Sequence, residues 1–270
     1  MACGLVNLGS CLPQVFFEFI LGILNAPIRP FLEIILNLLS EPINISIFIR
    51  LWIIIVYMLS MFYALLLVGS GLSFMMSGYD SAKRENAKEW LRNVVIMIIL
   101  VQASFFIYQL FIDLSASMTS ATLSIIDEDF FLIGTDDIDD LGLAILFSFL
   151  YILTLIITAL VLTLRYAIVA IGVVLLPIGI FFYFLNPLKA YGSLILNFLG
   201  IAVFVPFFDA ILLIGFSELV NIGIFSNMKI LVLISAFLLI DIVMIFLMTF
   251  AVIKAGLNVY TDVRKLGAKL

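Results

Sequence analysis

Apolar residues run in long blocks along this chain, and polar residues gather between the blocks. The first clear block covers 48–76 and opens at Arg50 and Trp52, residue types suited to a membrane interface. A second covers 91–114. A third starts near Leu141 and runs to Leu185, broken only by Arg165. Two more follow at 192–216 and 230–253. About 20 apolar residues in a helix cross the hydrocarbon core of a bilayer, so each block is long enough.

The N-terminal stretch reads differently. Residues 14–39 form two short amphipathic pieces separated by "NAPIRP". The expectation is a helical hairpin lying in the interface, with Phe16, Phe17, Phe19, Ile20, Phe31, Ile34 and Ile35 toward lipid. A buried packing helix is the alternative. The block 141–185 raises the opposite problem, because it is about twice as long as one crossing needs. A turn or break is expected within 165–187, at Arg165 or at "LLPIG", where Pro177 and Gly179 would serve as the helix break.

Composition fixes the solvent. The chain of 270 residues is 65% hydrophobic and 11% charged. Soluble domains hold about 25% charged residues. The predicted fold is an all-α polytopic integral membrane protein with five or six transmembrane helices. Its expected regions are 1–47 (external or interfacial), 48–253 (transmembrane) and a basic tail, 254–270.

Charge orients it. The turn "GYDSAKRENAKEWLR" carries Lys83, Arg84, Lys88 and Arg92, while residues 124–142 hold seven acidic residues and no basic one. If 167–187 re-enters, ten basic residues lie on one side and only Arg29, Arg50 and Lys229 on the other. The positive-inside rule favours that arrangement. It puts loop 78–92 and the C-terminus in the cytoplasm of a cell-membrane protein, and the acidic loop 115–141 and the N-terminus outside. Asp80 or Ser81 can cap a helix running into the second span. Glu85–Lys88 and Glu89–Arg92 pair at i+3. This segment reads either as a lipid-anchoring juxtamembrane helix or as a docking face for a cytoplasmic partner.

Polar side chains inside the apolar blocks are costly and turn toward protein or water. Gly69, Ser73 and Ser77 form a small-residue stripe suited to helix packing. Gln102, Gln109 and Asp113 share a face that would line a wet path or bond between helices. Tyr151, Thr154, Thr158 and Arg165 recur at helical spacing. Asp209 and Asp241 lie inside the last two spans, as a proton relay, a partner for Arg165 or a subunit contact. Antiparallel spans would set these two acids at different depths, which argues against a direct pair.

Catalysis finds no support in the residues. The chain contains no His, G-x-S-x-G or P-loop. No metal site and no cofactor are expected, since the acidic loop lacks EF-hand spacing and Cys3 and Cys11 have no His to complete a zinc site. The two cysteines pair only if that end meets an oxidising compartment. Asn44-Ile45-Ser46 is a glycosylation sequon close against the first span.

Three features carry a family resemblance: the amphipathic N-terminus, "SAKRENAKEWLRNVVIMIILVQASFFIYQL", and "LRYAIVAIGVVLLPIGIFFYFLNPLKAYG". Together they span 14–253. The chain resembles the TrbL-like polytopic subunits of type IV secretion and conjugation machines, particularly archaeal members related to the Ced DNA-transfer proteins. The resemblance implies a non-enzymatic platform or channel subunit that self-associates in the bilayer. It implies cytoplasmic secretion ATPases and other machine subunits as partners, and transported DNA or protein as cargo. Too few cations are present for stable nucleic-acid binding. Relative to larger members, the expectation is a chain without a folded outside domain or a long C-terminal extension. The competing expectation is a stand-alone secondary transporter or ion channel that uses Asp209 and Asp241.

Overall fold

A computed structural model describes residues 8–77, 81–134, 141–226 and 228–267. Among them every regular element is helical: α1 (Leu8–Ser40), α2 (Ile49–Met76), α3 (Ser81–Leu123), α4 (Leu141–Phe184), α5 (Lys189–Val220), the single turn α6 (Gly223–Ser226) and α7 (Lys229–Gly267). Six helical segments are long and apolar enough to cross a membrane, one each in α1 to α5 and in α7. The protein is an all-α, multi-pass membrane protein.

Two sequence expectations are corrected here. The N-terminal hairpin does not form, because α1 runs unbroken through Pro27 and Pro30. Its buried residues, Leu21, Ile28, Leu32, Ile35 and Leu39, repeat at three, four or seven positions and make one continuous stripe. Ile35, expected to face lipid, is fully buried in that stripe, while Phe16, Phe19 and Ile34 are exposed. The break at 165–187 is also absent. α4 is one helix of 44 residues with Pro177 inside it. At about 66 Å it exceeds a perpendicular crossing, yet length alone did not force a turn. A proline inside such a helix is tolerated where neighbouring groups re-satisfy the freed backbone.

Pro177 and Gly179 therefore do not break the helix. Gly179 is a close-contact position: a Cβ there would stand 2.8 Å from the side chain of Ile195 on α5. A Cβ on Gly192 would come within 2.7 Å of the Gly179 carbonyl oxygen, and one on Gly172 within 2.6 Å of Leu199. Gly192 lets the backbones of α4 and α5 meet directly, while Gly179 makes room for Ile195 and Gly172 for Leu199 and the Tyr108 ring of α3, as small residues do between membrane helices.

The chain divides into two compact units. Unit 1 is residues 1–41, 115–165 and 205–245; unit 2 is 42–114, 166–204 and 246–270. Four long helices, α3, α4, α5 and α7, contribute a segment to each.

Unit 2 has an apolar core built on Val94, Met97, Val101, Val169, Val173 and Leu199. α2 starts beside the middle of α3, where the Trp52 indole N–H donates to Ser104 Oγ at 2.9 Å. Its ring also meets Phe105, with centroids 5.6 Å apart. Trp52 thus also serves as a packing residue between α2 and α3. Near the other end of α2, Gly69 lies against Trp90, where an added Cβ would approach to 3.3 Å. The connection before α2 is pinned locally: the Ser46 N–H donates to Asn44 Oδ1 at 3.1 Å, an Asx turn. Ile43 and Ile45 on either side of Asn44 are buried in the unit 2 core.

Candidate functional site

The interior of unit 1 carries the charge. Along α4 its buried residues include Ser148, Tyr151, Thr154, Leu155, Thr158, Leu162 and Arg165. The three-and-four spacing places them on one face. α5 adds Asp209, fully buried, and α7 adds Asp241, 5% exposed. Arg165, Asp209 and Asp241 are the buried charged residues among those described.

The three belong together. Arg165 and Asp241 both stand close enough for their charges to act on Asp209. As expected from the sequence, the two acids form no direct hydrogen-bonded pair, since both Asp209 oxygens lack a partner.

Hydrogen bonding in the cluster is incomplete. The Thr158 hydroxyl is within 3.0 Å of Asp241 Oδ2 and within 3.0 Å of the Thr154 carbonyl oxygen. One hydroxyl proton serves two acceptors. Asp241 Oδ1 and both carboxylate oxygens of Asp209 have no hydrogen-bond partner. A carboxylate at the centre of a membrane helix costs about 2.5–3.5 kcal/mol on insertion scales. Pro206 removes a helix hydrogen bond about one turn before Asp209.

The segment after α3 closes over its own unit. Its 3-10 turn, Glu128–Phe131, leads into Leu132 and Ile133. Three helices hold three consecutive residues of it. Tyr151 on α4 donates its hydroxyl to the Phe131 carbonyl at 3.1 Å. Lys229 Nζ on α7 donates to the Leu132 carbonyl at 2.8 Å. Asn25 on α1 makes a two-point clasp on Ile133, giving its amide N–H to the carbonyl at 3.0 Å and accepting the backbone N–H at 3.1 Å. Phe130, Phe131 and Ile133 are buried. Phe131 packs on Phe237, with centroids 6.3 Å apart, and Phe237 on Tyr151 at 6.0 Å. An open recess of about 270 Å³ beside this turn is lined by Asp127, Phe130, Glu218, Asn221 and Lys229 among others.

Sequence reasoning treated this segment only as an acidic loop. The signal was the apolar run "FFLI" at 130–133 inside the acids, which exposed loops rarely carry. Residues 135–140, with four of the seven acids, lie outside the described residues, as do Asp80 and Cys3.

The other expected site residues fall elsewhere. Lys83, Arg84, Lys88 and Arg92 are all exposed on the first turns of α3. Arg92 pairs with Glu89 at 3.7 Å, and Arg84 lies over the Phe74 ring, 5.8 Å from its centroid. Lys83 borders an open recess of about 450 Å³ whose walls include Ser73, Ser77, Asn86 and Trp90. The stripe Gly69, Ser73 and Ser77 therefore faces the protein's own α3. Gln102, Gln109 and Asp113 are exposed, while Val101, Ser104, Phe105, Tyr108 and Ile112 form the buried face of α3. The glutamines and Asp113 line no interior path. Among the described residues no group of three or more acids or cysteines is placed to hold a metal ion.

No protein family model, no curated protein and no solved structure matches the chain.

Proposed function

We propose that this protein is a non-enzymatic platform subunit of a membrane machine of the type IV secretion or conjugation kind, working with cytoplasmic ATPases. The observation that carries the reading is the cationic face at the start of α3. Lys83, Arg84, Lys88 and Arg92 are exposed on a helix that continues without a break into the apolar core of unit 2. A charged face on so stiff a mount suits docking better than a loose loop would.

In this reading the 78–92 side is cytoplasmic, because Lys189, Lys254, Arg264, Lys265 and Lys269 lie in the other segments on that side. The acidic loop is external. Asn25 ties α1 to the segment that follows α3, which supports an external N-terminus. The small-residue stripe of α2 faces α3, so self-association would use other surfaces.

The test is copurification. Intact cells are crosslinked, and the protein is isolated in mild detergent beside a variant with Lys83, Arg84, Lys88 and Arg92 all changed to Ser. A cytoplasmic ATPase that copurifies with the wild type and is lost from the variant supports the docking face. If the variant retains its partners, or the wild type has none, those cations are only a topology anchor.

A second reading, a stand-alone ion-coupled transporter or channel, is favoured by one observation: Asp209 and Asp241 are buried together beside Arg165. Loss of ion flux from proteoliposomes in Asp209→Asn and Asp241→Asn would move it to first place.

A further inference from the structure

Two carboxylates and one guanidinium share the interior of unit 1, and their formal charges sum to one negative charge. Among the described residues buried in that unit no other charged side chain is present: α4 contributes Arg165, α5 Asp209 and α7 Asp241, while the buried residues of α1 and α3 there are uncharged. A net charge held away from water is strongly disfavoured unless something neutralises it. The oxygens nearest the problem are also those without partners, namely both of Asp209 and one of Asp241.

We infer that the Arg165–Asp209–Asp241 cluster is a binding site for one exchangeable monovalent cation, a proton or Na⁺. The hydrogen bonding at Thr158 fits such a site. Its hydroxyl faces two acceptors, the Thr154 carbonyl and Asp241 Oδ2, with a single proton. A proton on Asp241 would donate to Thr158 Oγ1 and free the hydroxyl for Thr154, so that every partner in the chain is served. Na⁺ would instead use the unpartnered carboxylate oxygens as hard ligands, with Arg165 limiting the site to a single added charge. The site stands apart from the secretion reading, since it needs no partner protein and lies in the other unit from the cationic face.

The inference is tested by thermal unfolding of the purified protein in mild detergent. Midpoints are recorded from mildly acidic to alkaline pH, and with NaCl against choline chloride at equal ionic strength. A ligand bound only by the folded state raises the midpoint with its concentration. For the wild type, the midpoint should rise as protons are added if the ion is H⁺, or as Na⁺ replaces choline if it is Na⁺. Asp209→Asn removes the uncompensated charge and should lose that dependence, leaving only the slope set by surface carboxylates. Asp241→Asn removes one charge likewise and provides the comparison if the first variant does not fold. Wild-type protein is also treated with dicyclohexylcarbodiimide, which attacks protonated carboxyls in apolar surroundings, and the modified residue is mapped. Modification at Asp209 or Asp241, suppressed at alkaline pH or by Na⁺, supports the site and identifies the ion. A common slope in wild type and variants, with neither aspartate modified, overturns it.

Discussion

Along α4, the buried residues of unit 1 include Ser148, Tyr151, Thr158 and Arg165, and those of unit 2 are Val169, Ala170, Val173, Leu176 and Ile180 among others. One helix thus serves two apolar interiors, of which that of unit 1 buries more polar side chains. The same change occurs along α3, where Val94, Met97 and Val101 in unit 2 give way to Ser115 and Thr119 in unit 1. Unit 2 is held by close apolar packing and by glycine contacts between α4 and α5. Unit 1 has an apolar interior too, including Ile28, Ile35, Leu213, Leu233 and Ile240, and adds side chains that reach backbone carbonyls and an aromatic trio. In a bilayer, packing and hydrogen bonding have to supply what hydrophobic burial supplies in water. The two units weight these forces differently, and buried charge is found where the polar network already exists.

The largest expected effect separates the aromatic trio from the rest of unit 1. Phe237→Ala removes the contact that joins Phe131 to Tyr151 and should destabilise by about 3–5 kcal/mol. The check is denaturant unfolding in detergent. A small loss would mean that the trio is peripheral to the stability of unit 1.

Next comes the glycine contact of unit 2. In Gly192→Ala the new Cβ meets backbone atoms of Tyr183 and Gly179, which cannot rotate away. Overpacking of this kind should cost roughly 3 kcal/mol. Gly200→Ala on the same helix meets nothing within 4 Å and should be neutral or slightly stabilising, by about 0.5–1 kcal/mol. Equal behaviour of the two variants would break the claim that unit 2 depends on close backbone approach.

The smallest effect is the most local. Asn25→Ala deletes both bonds to Ile133 and leaves part-buried backbone groups unsatisfied, at about 1–3 kcal/mol. Amide hydrogen exchange should quicken over residues 128–134, while core amides of unit 2 such as Val101 and Val173 keep their protection. Exchange rising equally in both units would show that they unfold as one.

Much of this architecture was legible in the apolar blocks. α2 was expected at 48–76 and spans Ile49–Met76, and α4 begins at Leu141 as expected. What failed were arguments from local breakers. Prolines in "NAPIRP" and "LLPIG" read as breaks because the sequence does not show the neighbours that make a proline tolerable. For Trp52 the sequence offered only its type, and the structure adds the bond of its indole to Ser104, 52 residues away. The candidate acids were legible one by one and not as a cluster.

The sequence by itself determined that this chain lives in a bilayer, that it is helical throughout, and which side chains are expensive there. Those properties follow from composition and from periodicity, which are local. Only the tertiary structure decided that α1 and α4 are unbroken, that "FFLI" folds inward, and that Arg165, Asp209 and Asp241 share one interior. Each of these depends on the register between helices distant in sequence, and a hydropathy pattern carries no information about register.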